Sequence, residues 1–133
     1  MDIALCVLNQ KKKCLQYAGA YNPLYLLRNE ELNQFKADRM PIGIYYKEKE
    51  SFTNNIVDLQ EGDVIYLFSD GYIDQFGGNN GKKFLHKQFK NLILEIHQKP
   101  MDEQRLALDI TLERWMGDHE QVDDILIMGF RVS

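Results

Sequence analysis

Asp70, Asp74 and the pair Asp123-Asp124 are the side chains whose type and position could do chemistry. Asp70 follows the apolar run Val64 to Phe68 and is followed at once by Gly71. A carboxylate at the end of an apolar strand, beside a residue that lets backbone come close, can deliver an oxygen ligand to a site. Asp-Gly is also an ordinary turn pair, and both readings stand. Asp74 lies four residues on, so a helical turn would set it on the same face as Asp70. Asp123 and Asp124 stand immediately before Ile125-Leu126-Ile127. Adjacent carboxylates there repel each other unless a cation or hydrogen bonds compensate; the plain alternative is a solvated strand entry. Acids at strand ends with no neighbouring His or Cys suggest a hard cation, Mg2+ or Mn2+, held by oxygens and water. Such an ion lowers the pKa of a bound water and polarises a phosphoryl oxygen.

The elements that must position these acids are strand-rich in the first half of the chain. Ile3 to Leu8 and Cys14 to Ala18 flank a polar turn and read as a hairpin with a longer loop. Gly19 to Pro23 breaks the pattern, Leu24 to Arg28 and Leu32 to Lys36 follow as strands, and Met40 to Tyr45 holds a second break and a strand end. Ser51 to Leu59 alternates loosely before the turn Glu61-Gly62 and the strand Val64 to Phe68. The period then changes. In Phe84 to His97, Leu85, Phe89, Leu92, Ile93 and Ile96 fall on one helix face, and Pro100 stops the helix. Asp102 to Met116 predicts a second helix with Leu106, Leu108, Ile110, Leu112 and Trp115 on a broad apolar face, ended by Gly117. Asp124 to Val132 closes the chain, and its run Ile125 to Met128 suits a central strand buried on both faces. Strands, two helices and a strand argue for an α+β fold with antiparallel sheet, in one unit over 1–133.

Composition sets further bounds. The chain has 133 residues, 44% hydrophobic and 27% charged, which fits one globular core and excludes a disordered chain. Its apolar runs are too short to span a bilayer, and Met1-Asp2 opens no basic leader, so no membrane contact and a cytoplasmic location are expected. With 16 basic and 20 acidic residues the formal charge is −4, which gives nucleic acid no electrostatic footing. Lys11, Lys12 and Lys13 read as a solvated turn. Cys6 and Cys14 read as small buried apolar residues, and His86, His97 and His119 are too scattered for a zinc site. Trp115, Tyr25 and Phe130 are expected in the core. A small-ligand site in the Asn22-Pro23 loop has only its composition behind it.

One resemblance joins these pieces. Glu61-Gly62-Asp63, the strand Val64 to Phe68 and Ser69-Asp70-Gly71 resemble the "GD-(apolar strand)-[ST]-D-G" motif of the PPM phosphatases, in their SpoIIE-like branch. Val122-Asp123-Asp124-Ile125 is similar to that family's closing "D-[DN]-[IM]-T" motif, and Tyr17 to Arg28 to the branch's "AG-x-N-P…L-x-R" hairpin. Gln75 to Gly78 and Gly81 to Phe84 echo the loop and helix start that follow. The resemblance implies a β-sandwich of antiparallel sheets with flanking helices, and a dinuclear Mn2+ or Mg2+ centre that activates water against phosphoserine or phosphothreonine. It assigns Asp70 and Asp123 as metal ligands and Gly71 as the point of close backbone approach. It ties Asp74 to an additional metal and places Asp124 behind the ligands.

The family's earlier Asp-Gly-His-Gly-type motif has no counterpart here, so the resemblance implies a domain whose N-terminal portion is missing and whose centre is incomplete. An isolated chain of this kind is expected to be inactive, or to form a homodimer through an exposed sheet edge. The implied partner is a phosphorylated bacterial regulatory protein, of the anti-sigma antagonist type. The alternative is a non-catalytic regulatory or interaction module that keeps the fold.

Overall fold

The computed structural model describes residues 1–47 and 51–133. Its strands are β1 (Ile3–Asn9), β2 (Cys14–Ala20), β3 (Leu24–Arg28), β4 (Glu31–Phe35), β5 (Asn55–Asp58), β6 (Val64–Phe68), β7 (Phe76–Gly77), β8 (Lys82–Lys83) and β9 (Ile127–Arg131). The helices are α1 (Gly71–Asp74), α2 (Leu85–Ile96) and α3 (Met101–Met116). The chain forms two compact units, one of Met1–Phe68 with Met128–Ser133, the other of Ser69–Ile127.

The first unit holds two antiparallel sheets, in strand order β1-β2-β5 and β4-β3-β6-β9. Alternation along each strand builds the core between them. Leu15 and Tyr17 of β2 meet Leu24 and Leu26 of β3, Val57 of β5 and Ile65 of β6, with Ala4, Cys6 and Phe130 packed alongside. Burial pushes the Cys6 thiol up to about 11, as suits a thiol that packs rather than reacts. β3 and β6 lie inside their sheet, and the residues of their second face, Tyr25, Leu27, Val64, Tyr66 and Phe68, are buried too. Tyr25 and Phe68 meet edge to face, with centroids 4.8 Å apart.

The β2–β3 corner depends on Gly19. The Tyr17 hydroxyl donates to the Asn22 carbonyl at 2.6 Å, and a methyl on Gly19 would overlap both groups. The nearby Asp38 carboxylate accepts from the Thr53 amide at 2.6 Å and its hydroxyl at 2.9 Å. This engagement accounts for a buried acid without a metal.

Three expectations need correction. The last strand is not central: it starts at Ile127 and closes one end of the β4-β3-β6-β9 order, with Leu126 and Met128 more than half exposed. A strand with a neighbour on one side leaves half of its apolar run uncovered. The segment from Met40 to Tyr45 forms no strand, and Ile42 and Ile44 are exposed. In α3 only Leu108 of the expected apolar face is fully buried, while Leu106 and Ile110 are exposed. Residues two apart on a helix are turned about 200° from each other, so Leu106 and Leu108 cannot share a face.

In the second unit, β7 and β8 pair as a short antiparallel ribbon through Phe76–Lys83 and Gly77–Lys82. Gly78 and Gly81 turn it at φ 69° and 57°. Phe89, Ile93 and Ile96 form the buried stripe of α2. Tyr72 packs against Phe84 and Phe89, and Phe84 against Trp115, at centroid distances of 5.2, 5.3 and 5.5 Å. The Tyr72 hydroxyl donates to the Leu108 carbonyl at 2.7 Å, tying α1 to α3. Buried Gln104 donates to the His97 and Lys99 carbonyls at 2.9 and 2.8 Å, closing the α2–α3 turn that Pro100 begins to reverse.

Leu85 was expected on the apolar stripe of α2 but opens the helix at φ 77° with its side chain exposed. This is left-handed backbone that costs a branched side chain about 1 kcal/mol and glycine almost nothing. Leu85→Gly should therefore leave the thermal midpoint unchanged or slightly higher. Leu92→Gly, inside the same helix, should lower stability by about 3 kcal/mol through lost packing and backbone entropy. Equal losses from the two in thermal melts would count against strain at Leu85.

Candidate functional site

The end of β6 and the segment before β9 are joined by one serine. The Ser69 hydroxyl donates to the Asp124 carbonyl at 3.0 Å and accepts from the Leu126 amide at 3.0 Å, while the Ser69 amide donates to the Leu126 carbonyl at 2.9 Å. Gly71 is buried against this clasp, and a methyl there would overlap the Asp124 carbonyl oxygen. The backbone of Ser69-Asp70-Gly71 is thus brought onto that of Asp124-Ile125-Leu126. The motif contained Ser69, but sequence reasoning assigned it no role. Its signal is a short hydroxyl at the exit of an apolar strand, where it can cross-link backbone that ladder pairing has left.

Asp70 stands at the N-terminal end of α1, and the Asp74 amide donates to the Asp70 carbonyl at 2.9 Å. The helical turn that would align Asp70 with Asp74 is therefore present. Asp70 is exposed, whereas Asp74 is half-buried and pairs with Lys83 at 3.3 Å. Asp123 and Asp124 are both exposed. The Asp123 carboxylate accepts from the Asp124 amide at 2.7 Å, and Gln121 donates to the Asp123 carbonyl at 2.9 Å. Part of the repulsion between the two acids is thereby offset by a local hydrogen bond. Asp124 presents its carbonyl, not its carboxylate, to Ser69 and Gly71.

Gln75 anchors what lies behind α1. Its side-chain amide donates to the Phe76 and Glu120 carbonyls at 3.0 and 2.8 Å, and its own carbonyl accepts from Trp115 Nε1 at 2.9 Å and the Phe84 amide at 3.0 Å. Gly77 lies so close to Trp115 that a methyl would overlap the Trp115 carbonyl. His86 is held below its ordinary pKa, first by loss of solvent and then by Lys90, with Asp74 and Asp70 opposing.

The donor set suits a hard cation in kind, since it consists of carboxylates and backbone carbonyls. In number it falls short: among the described residues no three His, Cys, Asp or Glu side chains gather as a metal site. The described residues do not by themselves form a complete centre. Among the described residues no helix is long and apolar enough to cross a membrane.

Comparison with known proteins gives this arrangement its relatives. Among curated proteins there is no match. The SiaA-PP2C domain of Pseudomonas aeruginosa superposes with a TM-score of 0.90 at 33% identity, over 99% of this chain and 51% of that one. The phosphatase domain of the cell fate determinant SpoIIE from Bacillus subtilis gives 0.66 at 16% identity, over 98% and 55%. The RsbU and RsbW domains of Rv1364c from Mycobacterium tuberculosis give 0.74 at 20% identity, over 98% and 35%. The chain spans about half the length of the first two. These superpositions agree with the mixed helix and antiparallel-sheet fold expected from the sequence, and the match to the family described as Stage II sporulation protein E (SpoIIE) runs over residues 1–133. The chain belongs to the SpoIIE family of PP2C-type phosphatase domains.

Proposed function

We propose that this chain is the C-terminal part of a metal-dependent serine/threonine protein phosphatase domain, acting on a phosphorylated regulatory protein in the cytoplasm. The observation that carries the reading is the Ser69 clasp. It joins the backbone bearing Asp70 and Gly71 to that bearing Asp123 and Asp124, the two acidic segments that the family resemblance marks for metal. Asp70 and Asp123 hold Mn2+ or Mg2+ directly, Asp74 serves a further metal, and Asp124 supports them through its backbone. Bound metal supplies a Lewis acid and an activated water. The chain's own contribution is to hold Asp70 just past the end of β6 and, through the Ser69 clasp, the Asp123-Asp124 segment beside it. Two neighbours bear on the reading: a SpoIIE phosphatase domain studied after Mn presoaking, and the RsbU domain that shares a chain with an RsbW domain. The latter suggests a partner from the same class of regulatory proteins.

A centre short of ligands binds weakly, so millimolar metal is the right probe. Mn2+ at ten times its dissociation constant should stabilise the chain by about 1.4 kcal/mol, and Asp70→Asn should remove the shift. Indifference of the melting curve to Mn2+ up to 10 times a millimolar constant (about 10 mM) would mean that Asp70 and Asp123 do not share an ion.

The second reading is a non-catalytic module that keeps the fold, and the absence of a three-ligand group among the described residues favours it. Mn2+-dependent hydrolysis of p-nitrophenyl phosphate that is lost in Asp70→Asn would decide for the enzyme. Self-association belongs to the same reading. β1 ends its sheet with Leu5 and Val7 exposed, and a dimer through that strand would appear in sedimentation velocity as a concentration-dependent second boundary.

A further inference from the structure

Between Asp74 and Glu95 the chain has no acidic residue, yet Lys82, Lys83, His86, Lys87 and Lys90 all fall there. In a chain of net charge −4 this is a local reversal of sign. Lys83 of β8 lies beside Phe76, on the face opposite Lys82, and Lys87 and Lys90, three residues apart in the first two turns of α2, are neighbours on one helix face. His86 and Lys90 are four residues apart, hence neighbours on one helix face. Lys83 reaches Asp74 at 3.3 Å and keeps 46% of its side chain exposed. His86 interacts electrostatically with Lys90, Asp74 and Asp70. Lys83 therefore borders the carboxylate of Asp74.

The ordinary account of surface lysines is a solvated helix face, but the placement opposes it. The N-terminus of a helix carries partial positive charge, so cations in its first turn are unfavourable and acids are favoured. The first turn of α2 has no acid and no side-chain cap, and it carries Lys87. Local stability would choose the opposite charge, and departures of this kind concentrate where function imposes them.

We propose that Lys83, Lys87 and Lys90 form a cationic shelf that recognises an acidic stretch of a phosphorylated protein beside Asp70 and Asp74. The proposal deepens the phosphatase reading and rests on it for the identity of the partner. A peptide fits better than a nucleic acid, because a continuous phosphate backbone crossing the shelf would run onto Asp70 and Asp74. A peptide can put its acids on the lysines alone.

The test is fluorescence polarisation in metal-free buffer, so that no turnover intervenes. The probes are two labelled phosphoserine peptides of equal length, one flanked by Asp and Glu, the other by Lys and Arg. The acidic peptide should bind at least about tenfold tighter, and the preference should shrink on raising salt as surface charges are screened. Reversing two charges in Lys87→Glu/Lys90→Glu should cut the acidic peptide's affinity by about tenfold. Lys87→Gln/Lys90→Gln should cut it by less, and this pair serves if the reversed one fails to fold. Equal affinities in the unmodified chain overturn the shelf, as does a preference that survives both double variants. Tighter binding of a single-stranded oligonucleotide than of the acidic peptide also overturns it, in favour of nucleic acid. Mn2+-dependent hydrolysis is read separately. Its absence alongside an acidic preference sinks the enzyme and leaves the shelf standing; its presence without the preference sinks only the shelf.

Discussion

Asp63→Ala should lower stability by about 3 kcal/mol, because it strands a buried partner charge. Asp63 is the acid of the Gly-Asp pair before β6, and its side chain is 1% exposed. Arg28 Nε donates to one carboxylate oxygen at 2.8 Å and Arg28 Nη2 to the other at 2.6 Å, a two-pronged pair. The carboxylate also accepts from the Gln60 amide at 2.8 Å, and Arg28 donates onward to the Asp58 carbonyl at 2.9 Å. Truncation leaves a guanidinium that is only 27% exposed without its counter-charge, together with an unpaired amide. That remaining exposure lets water reach the Arg28 head, which holds the estimate at the low end for a buried pair. For a chain of this length the thermal midpoint should fall by roughly 10 °C. In Arg28→Met/Asp63→Leu no charge is left stranded, so the double variant should lose less than Asp63→Ala. A midpoint within 2 °C of the unmodified chain for Asp63→Ala would show that the pair is not integral to the fold.

Gly71→Ala should be comparably damaging, with its effect centred on the candidate site. An added methyl cannot coexist with the Asp124 carbonyl oxygen, and it would lie 3.1 Å from Ile125 Cγ1. One of the two backbone segments must move away. The obstacle is main chain rather than the tip of a flexible side chain, so overpacking should cost about 3 kcal/mol. The displacement should open the Ser69 clasp, raising hydrogen exchange at the Ser69 and Leu126 amides and abolishing any Mn2+-induced shift. Ser69→Ala removes the bridging hydroxyl without adding bulk. It should cost about 1 kcal/mol while the Ser69 amide keeps its bond to the Leu126 carbonyl. If Gly71→Ala melts like the unmodified chain and keeps those amides protected, the close approach is not what holds the two segments together.

Much of the fold was legible because it is local. The hairpin of β1 and β2, the helices around Phe89 and Leu108, and the stop at Pro100 and Gly117 all follow from period and turn chemistry over a few residues. Asp70 could be placed just past a strand end for the same reason, whereas Asp123 lies four residues before β9. The errors have a common origin. Leu85 matched the apolar spacing of α2 but sits in left-handed backbone at its first position. Ile125 to Met128 had the composition of a central strand but lacks a neighbour on one side.

The acidic site with which the sequence reading began shows the same division. The order and spacing of three motifs, Tyr17 to Arg28, Glu61 to Gly71 and Val122 to Ile125, were enough to suggest the family, because a motif is a local pattern that survives without its surroundings. What those residues touch was decided by tertiary structure. Ser69 meets Asp124 across 55 positions, and Arg28 meets Asp63 across 35. Tertiary contacts also gave the Asp124 carbonyl to Gly71 and paired Asp74 with Lys83. Periodicity reports which face a residue occupies, whereas pairing between distant segments depends on how whole strands and helices pack.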